Sequence, residues 1–292
     1  MVDDDEMPPV EEEFRGTALF AGKDNPARYD LDEFRRLHKP LTLRHERLLR
    51  SHYGFSDRLL RLLLDAIRIV EEQPEADRAS KRSFLFAFLM LGSKIISHAE
   101  SIRVLVDVGR YGDATGLLRF AFSDCVMLRY LALFPEDVPD WFDLSQLRPP
   151  TGRPSERYKR LAKKFWEGAV RKKLLEKGVH VPAGTFSDLS EAVHPTSWGM
   201  GYYGDVDPGR VLHIHYAPFY DPLPKAQALA VSLIDVLKEP MDVLIDWCNR
   251  QALQWHKGVE ARWMVLRIQA GKFTQIAASV VEAGMEELYP DD

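Results

Sequence analysis

Cysteine is almost missing from this chain: there are two among 292 residues, Cys125 and Cys248. Each sits in an apolar helical stretch with no Cys or His at metal-ligand spacing. A disulfide framework, a zinc knuckle and a CxxC redox pair are therefore excluded, and buried reduced thiols are expected. Long apolar runs are missing too. The longest, Phe84 to Leu91, is soon followed by Lys94, His98 and Glu100, and is too short to span a bilayer. The first residues, Met1-Val-Asp-Asp-Asp-Glu, are acidic and carry no apolar h-region, so no signal peptide is expected and the cytoplasm is the expected compartment. A strong charge of one sign is also lacking. The formal net charge is −5 and the pI near 6.0, which argues against coating DNA through overall charge but leaves room for a local basic patch. No phosphate loop, GxGxxG turn, GxSxG elbow or HExxH pair occurs, and no Ser, His and Asp spacing selects a triad.

What is present is ordinary globular material. Apolar residues make up 46% and charged residues 28%, enough for a sizeable core without metal or disulfide support. Residues 1–13 hold seven acidic side chains, no basic ones and two prolines, the composition of a disordered acidic tail. From residue 14 to 292 the pattern is one helical domain, with a subdomain boundary conceivable at the Pro-, Gly- and Ser-rich stretch 145–155.

Helical periodicity dominates. Leu41 to Glu72 carries a broad leucine stripe, with Gly54 as a potential break and Pro74 as a stop. Asp77 to Val108 predicts a second long helix, and the tight Gly109 to Gly112 link leads to a third, Asp113 to Phe134. Links this short favour antiparallel neighbours. Arg157 to Lys177 predicts one basic amphipathic helix with Tyr158, Leu161, Phe165, Ala169 and Leu174 inward. Pro224 to His256 predicts a long helix kinked or broken at Glu239-Pro240. The fold class is all-α: an antiparallel helical bundle.

One segment breaks the pattern. His194 to Pro222 is rich in glycine, histidine and aromatics, and its Gly-Met-Gly-Tyr-Tyr-Gly and Val-Leu-His-Ile-His-Tyr runs predict a small irregular or β-hairpin insertion near 195–222. Such a connection in a helical domain is usually a lid, a binding loop or an interface. Trp198 and Tyr203 are its candidate ligand-binding aromatics. His213 and His215, two apart, would share one face of a strand, and with a nearby carboxylate would form a divalent-metal site.

Polar residues inside apolar stretches are the other candidates. Glu100 and His98 lie among isoleucines of the second helix, and Arg119, Asp124 and Arg129 among the apolar residues of the third. Buried charges need partners, so a pairing of Glu100 with Arg119, or of Asp124 with an arginine, is expected. These groups are read either as structural pairs or as the walls of a polar pocket, with Asp124 and Arg129 as ligand-binding candidates. From 156 to 177 nine basic residues face three acidic ones, a local +6 that would suit an RNA or DNA backbone.

Two stretches together resemble a known group. Tyr111-Gly-Asp-Ala-Thr-Gly-Leu-Leu-Arg-Phe-Ala-Phe-Ser-Asp and Phe186-Ser-Asp-Leu-Ser-Glu-Ala-Val-His-Pro resemble uncharacterised prokaryotic helical proteins compared with the HEPN superfamily, over roughly residues 80–200. The resemblance implies a helical bundle, a homodimer, and sometimes RNA cleavage or phage defence. Active HEPN nucleases carry Arg-x(4–6)-His. Three pairs here have that spacing: Arg47 with His52, Arg210 with His215, and Arg250 with His256, the last best placed on a helix. His194 has no arginine at that offset. The leading expectation is a binding or interaction protein of unknown ligand, acting as a homo-oligomer away from any membrane. The alternative is a HEPN-like ribonuclease or metal-dependent hydrolase, with His194, Arg119, Glu100, Arg250 and His256 as its catalytic candidates.

Overall fold

The computed structural model describes residues 47–72, 83–147, 153–179, 204–206, 212–214, 223–251 and 257–288. Within them the chain is an all-α bundle of eight helices. These are α1 (Arg50–Glu71), α2 (Phe84–Asp107), α3 (Tyr111–Leu133), α4 (Val138–Leu147), α5 (Glu156–Lys164), α6 (Glu167–Glu176), α7 (Leu223–Arg250) and α8 (Lys257–Leu288). Two short strands, β1 (Gly204–Val206) and β2 (Leu212–Ile214), pair antiparallel inside the segment expected to hold a hairpin.

Helix α7 is the axis of the bundle and packs on α1, α2, α3 and α8, while α2 and α3 make the most extensive single pairing. Leu59, Leu63, Ala66 and Val70 of α1 recur at three- and four-residue steps and are all buried, as a core-facing helix stripe requires. Gly54 does not break α1. It is exposed, and a side chain there would meet nothing within 4 Å, so its cost is propensity alone. Ser83 caps α2, its hydroxyl accepting from the Phe86 amide at 3.2 Å. Gly109, at φ 74°, lets the chain reverse after α2, and the Arg110 amide donates to the Leu105 carbonyl at 2.7 Å to close the turn. On length and hydropathy α2 could cross a membrane, yet Phe84, Phe88, Leu91 and Ile95 are buried against its neighbours.

Two expectations along the chain are corrected. The basic stretch is two helices, α5 and α6, parted at Phe165-Trp166, where Trp166 is extended at φ −62° and ψ 136°. Its buried residues are Leu161, Phe165, Val170 and Leu174. The five-residue step in the middle would swing the stripe by about 140° on one continuous helix, so the break restores its phase. Conversely, of the kink or break expected at Glu239-Pro240 the break does not occur: α7 stays helical through Pro240. Proline removes the amide that would bond the Val236 carbonyl four residues back. The Cys125 thiol of α3 donates to that carbonyl instead, at 3.5 Å. Both cysteines are buried and free, as expected. Burial pushes the Cys248 thiol up to about 11 and raises Cys125 well above the ordinary thiol range, which leaves neither ionised at neutral pH.

Candidate functional site

A cavity of about 380 Å³ opens where the C-terminal turn of α3 meets α7. This lies within the roughly 300–1,000 Å³ range of small-molecule sites. Ala132 and Val243 are buried and, with Leu133 and Val179, make its walls apolar. Asp246, Asn249 and Arg250 form an exposed polar rim on the last turn of α7, and Arg129 of α3 faces them. Val179 reaches this place through a reversal after α6. Gly178 takes φ 74°, and the Val179 amide donates to the Leu174 carbonyl at 2.9 Å.

The two arginines are held differently. Arg129 donates through Nη2 to Glu239 of α7 at 2.5 Å, a half-exposed pair that fixes its guanidinium at the helix crossing. Arg250 spends only Nε, on the Asp246 carbonyl one turn earlier at 3.2 Å. Among the described residues its two terminal nitrogens make no hydrogen bond, which leaves the fork available to a planar anion.

A second polar cluster lies between α2 and α3. Lys94 Nζ donates to Asp124 Oδ1 at 2.8 Å, and His98 Nε2 is 3.5 Å from Asp124 Oδ2. The latter distance is too long for a good hydrogen bond, and among the described residues both atoms are otherwise unpaired. Burial raises the Asp124 carboxyl against the opposing pull of Lys94 and His98. Burial lowers His98 more than Asp124 restores it, so its imidazole is neutral at neutral pH and Lys94 is the cation of the cluster. Phe120, half exposed, stacks on the His98 ring with centroids 6.4 Å apart.

The expected pairings are thereby corrected. Asp124 meets a lysine and a histidine rather than an arginine. Glu100 does not meet Arg119. It is exposed and lies 3.4 Å from Arg103, one turn along its own helix. Arg119 is 3.7 Å from Glu167 of α6, whose other carboxylate oxygen stays buried and unpaired. Helical phase explains this: Ala99 is buried in the core and Glu100, one residue on, turns to solvent, whereas Arg119 turns toward α6.

The basic stretch 157–177 is also more neutral than its sequence. Arg157 pairs with Asp143 at 2.6 Å, and Lys159 with Glu156 at 2.7 Å. Lys164 bridges Asp137 at 2.8 Å and Asp140 at 2.6 Å, which lowers the Asp137 carboxyl and raises Lys164. Lys173 donates to the Tyr130 hydroxyl at 3.0 Å, and that hydroxyl donates to Asp137. The acids of α4 and the turn before it thus take up much of the charge, and these contacts dock α5 and α6 on the bundle.

His194, Trp198, Tyr203, His215 and His256 lie outside the described residues. His213 is described in its backbone, where it stands opposite Asp205 in the β1–β2 register. Among the described residues no group of three or more His, Cys, Asp or Glu could hold a metal ion. Of the candidates named from sequence, Arg129 and Arg250 are the two that the fold brings to one cavity, although 121 positions separate them. Asn249 and Asp246 were missed. They look like ordinary exposed helix residues, and only their place beside the α3 terminus gives them a role. Comparison with family models, with curated proteins and with solved structures finds no match to this chain.

Proposed function

We propose that this protein binds a small carboxylate-bearing molecule with an apolar body in the cavity between α3 and α7. The observation that carries the reading is the convergence of Arg129, Asn249 and Arg250 over apolar walls. The free guanidinium fork of Arg250 matches the two oxygens of a carboxylate, and the Asn249 amide supplies a further donor. Asp246 on the same rim disfavours a dianion such as phosphate and leaves a monoanion as the better fit. Ala132, Leu133, Val179 and Val243 would shelter a short aliphatic or aromatic body from water.

The test is titration calorimetry and thermal shift with hexanoate and phenylacetate, against hexylamine and inorganic phosphate. The two carboxylates bind with Kd in the millimolar range or tighter and raise Tm, while the amine and phosphate do not. Arg250→Ala, an exposed helix-end change, abolishes the shift and leaves the unliganded Tm within about a degree. Absence of carboxylate binding, or equal binding by Arg250→Ala, would overturn the proposal.

A further inference from the structure

The charges around the cavity between α3 and α7 call for more than an anion. Arg129 is already matched, since it holds Glu239 of α7. That leaves Arg250 and Asp246 on the rim, one cation and one anion, both exposed. Val243, Asp246 and Arg250 follow one another at steps of three and four residues, so they share one face of α7. Opposite charges at a four-residue step commonly pair. Here Arg250 Nε donates to the Asp246 backbone carbonyl at 3.2 Å instead. Among the described residues the Asp246 carboxylate makes no hydrogen bond or ion pair.

A simple carboxylate satisfies Arg250 and is repelled by Asp246. A molecule that also carries an ammonium satisfies both. The rim is the last turn of α7 as well, and the unpaired carbonyls of a helix end favour a cation. The walls fix where the ammonium sits. Ala132, Leu133, Val179 and Val243 present apolar side chains, so an ammonium at the far end of the ligand would lose its water without gaining a partner. Both charged groups therefore stay at the rim, on one carbon, with the apolar chain turned inward. That is the constitution of an α-amino acid with an apolar side chain.

We infer that the ligand of this cavity is an apolar α-amino acid, its carboxylate on Arg250 and Asn249 and its ammonium on Asp246. The inference rests on the carboxylate site proposed above and narrows its ligand. Titration calorimetry of the full chain with three molecules of one carbon skeleton tests it. Hexanoate carries the carboxylate alone, L-norleucine adds an ammonium on the neighbouring carbon, and 6-aminohexanoate places the ammonium at the far end. L-Norleucine should bind about fivefold tighter than hexanoate, the upper end for a solvent-exposed ion pair, and 6-aminohexanoate more weakly than either. Asp246→Asn, an exposed and nearly isosteric change, should move the two ligands in opposite directions: L-norleucine weakens, hexanoate tightens, and the preference is lost. A merely structural effect would move both the same way. If none of the three binds, the carboxylate site falls and the inference with it. If hexanoate binds and L-norleucine is no tighter, if 6-aminohexanoate matches L-norleucine, or if the preference survives Asp246→Asn, the carboxylate site stands and the amino-acid assignment is overturned.

Discussion

Replacing His52 by phenylalanine should stabilise this protein, and more so at low pH. His52 lies on the inner side of α1 and is 8% exposed. Among the described residues neither ring nitrogen has a hydrogen-bond partner, and the ring meets Phe273 of α8 edge-on with centroids 5.0 Å apart. Phenylalanine keeps that ring contact and removes the unpaired nitrogens. Each buried unpaired polar group costs about 1–3 kcal/mol, from which some overpacking must be subtracted, so a gain of about 1–2 kcal/mol is expected at neutral pH. Burial lowers the His52 pKa. The unfolded chain therefore takes up a proton near pH 6.5 that the folded chain refuses. The native advantage of neutral His52 is present above that pH and is lost as pH falls toward the folded pKa. The limiting slope is about 1.4 kcal/mol per pH unit for one proton. Urea unfolding, followed by far-UV circular dichroism at about pH 7.5 and about pH 5.5, should show the gap between variant and wild type widening by about 1 kcal/mol. A variant less stable than wild type at the higher pH, or a gap equal at both, would refute the reasoning.

Two further changes test the polar contacts of α3. Lys94→Met removes the cation that donates to the buried Asp124 carboxylate and should cost about 1–2 kcal/mol near pH 7.5, the lower part of the range because Lys94 is half exposed. The Asp124 carboxyl is raised, so its protonated form favours the fold at low pH, and that advantage is lost as pH rises through the folded pKa; the loss on Lys94→Met should accordingly shrink toward about pH 4.5, and an equal loss throughout would count against the assignment. Cys125→Val should cost about 1 kcal/mol by leaving the Val236 carbonyl without its donor, whereas in a Pro240→Ala background the restored backbone amide takes that carbonyl and the cost should fall by about half or more; additive effects in the double-mutant cycle would show that thiol and proline are not coupled.

The scaffold was legible because its signals are local. Leucine spacing in α1, the Gly109 turn and the long apolar stripes each act within one or two helical turns, and the helices followed. The misjudged places are those where a distant contact outweighs a local rule. Pro240 should interrupt a helix, but the carbonyl it strands is met by Cys125, 111 positions away in α3. Residues 157–177 carry a uniform basic pattern, yet the core demands Leu161 and Phe165 from one turn phase and Val170 and Leu174 from another, so the chain breaks at Trp166.

The same logic governs the candidate site. Charge inside an apolar stretch correctly marked Asp124 and Arg129 as residues needing partners, but periodicity carries no information about which helix provides them. Lys94 and Glu239 were chosen by helix crossing, not by spacing. Arg250 was selected for a histidine six residues on, and it matters for a different reason: the turn of α7 that holds it also holds Asn249 and Asp246, opposite the end of α3. A cavity between helices is a property of their crossing. Its apolar walls read in sequence as core and its polar rim as solvated surface, so no residue type along the chain announces it.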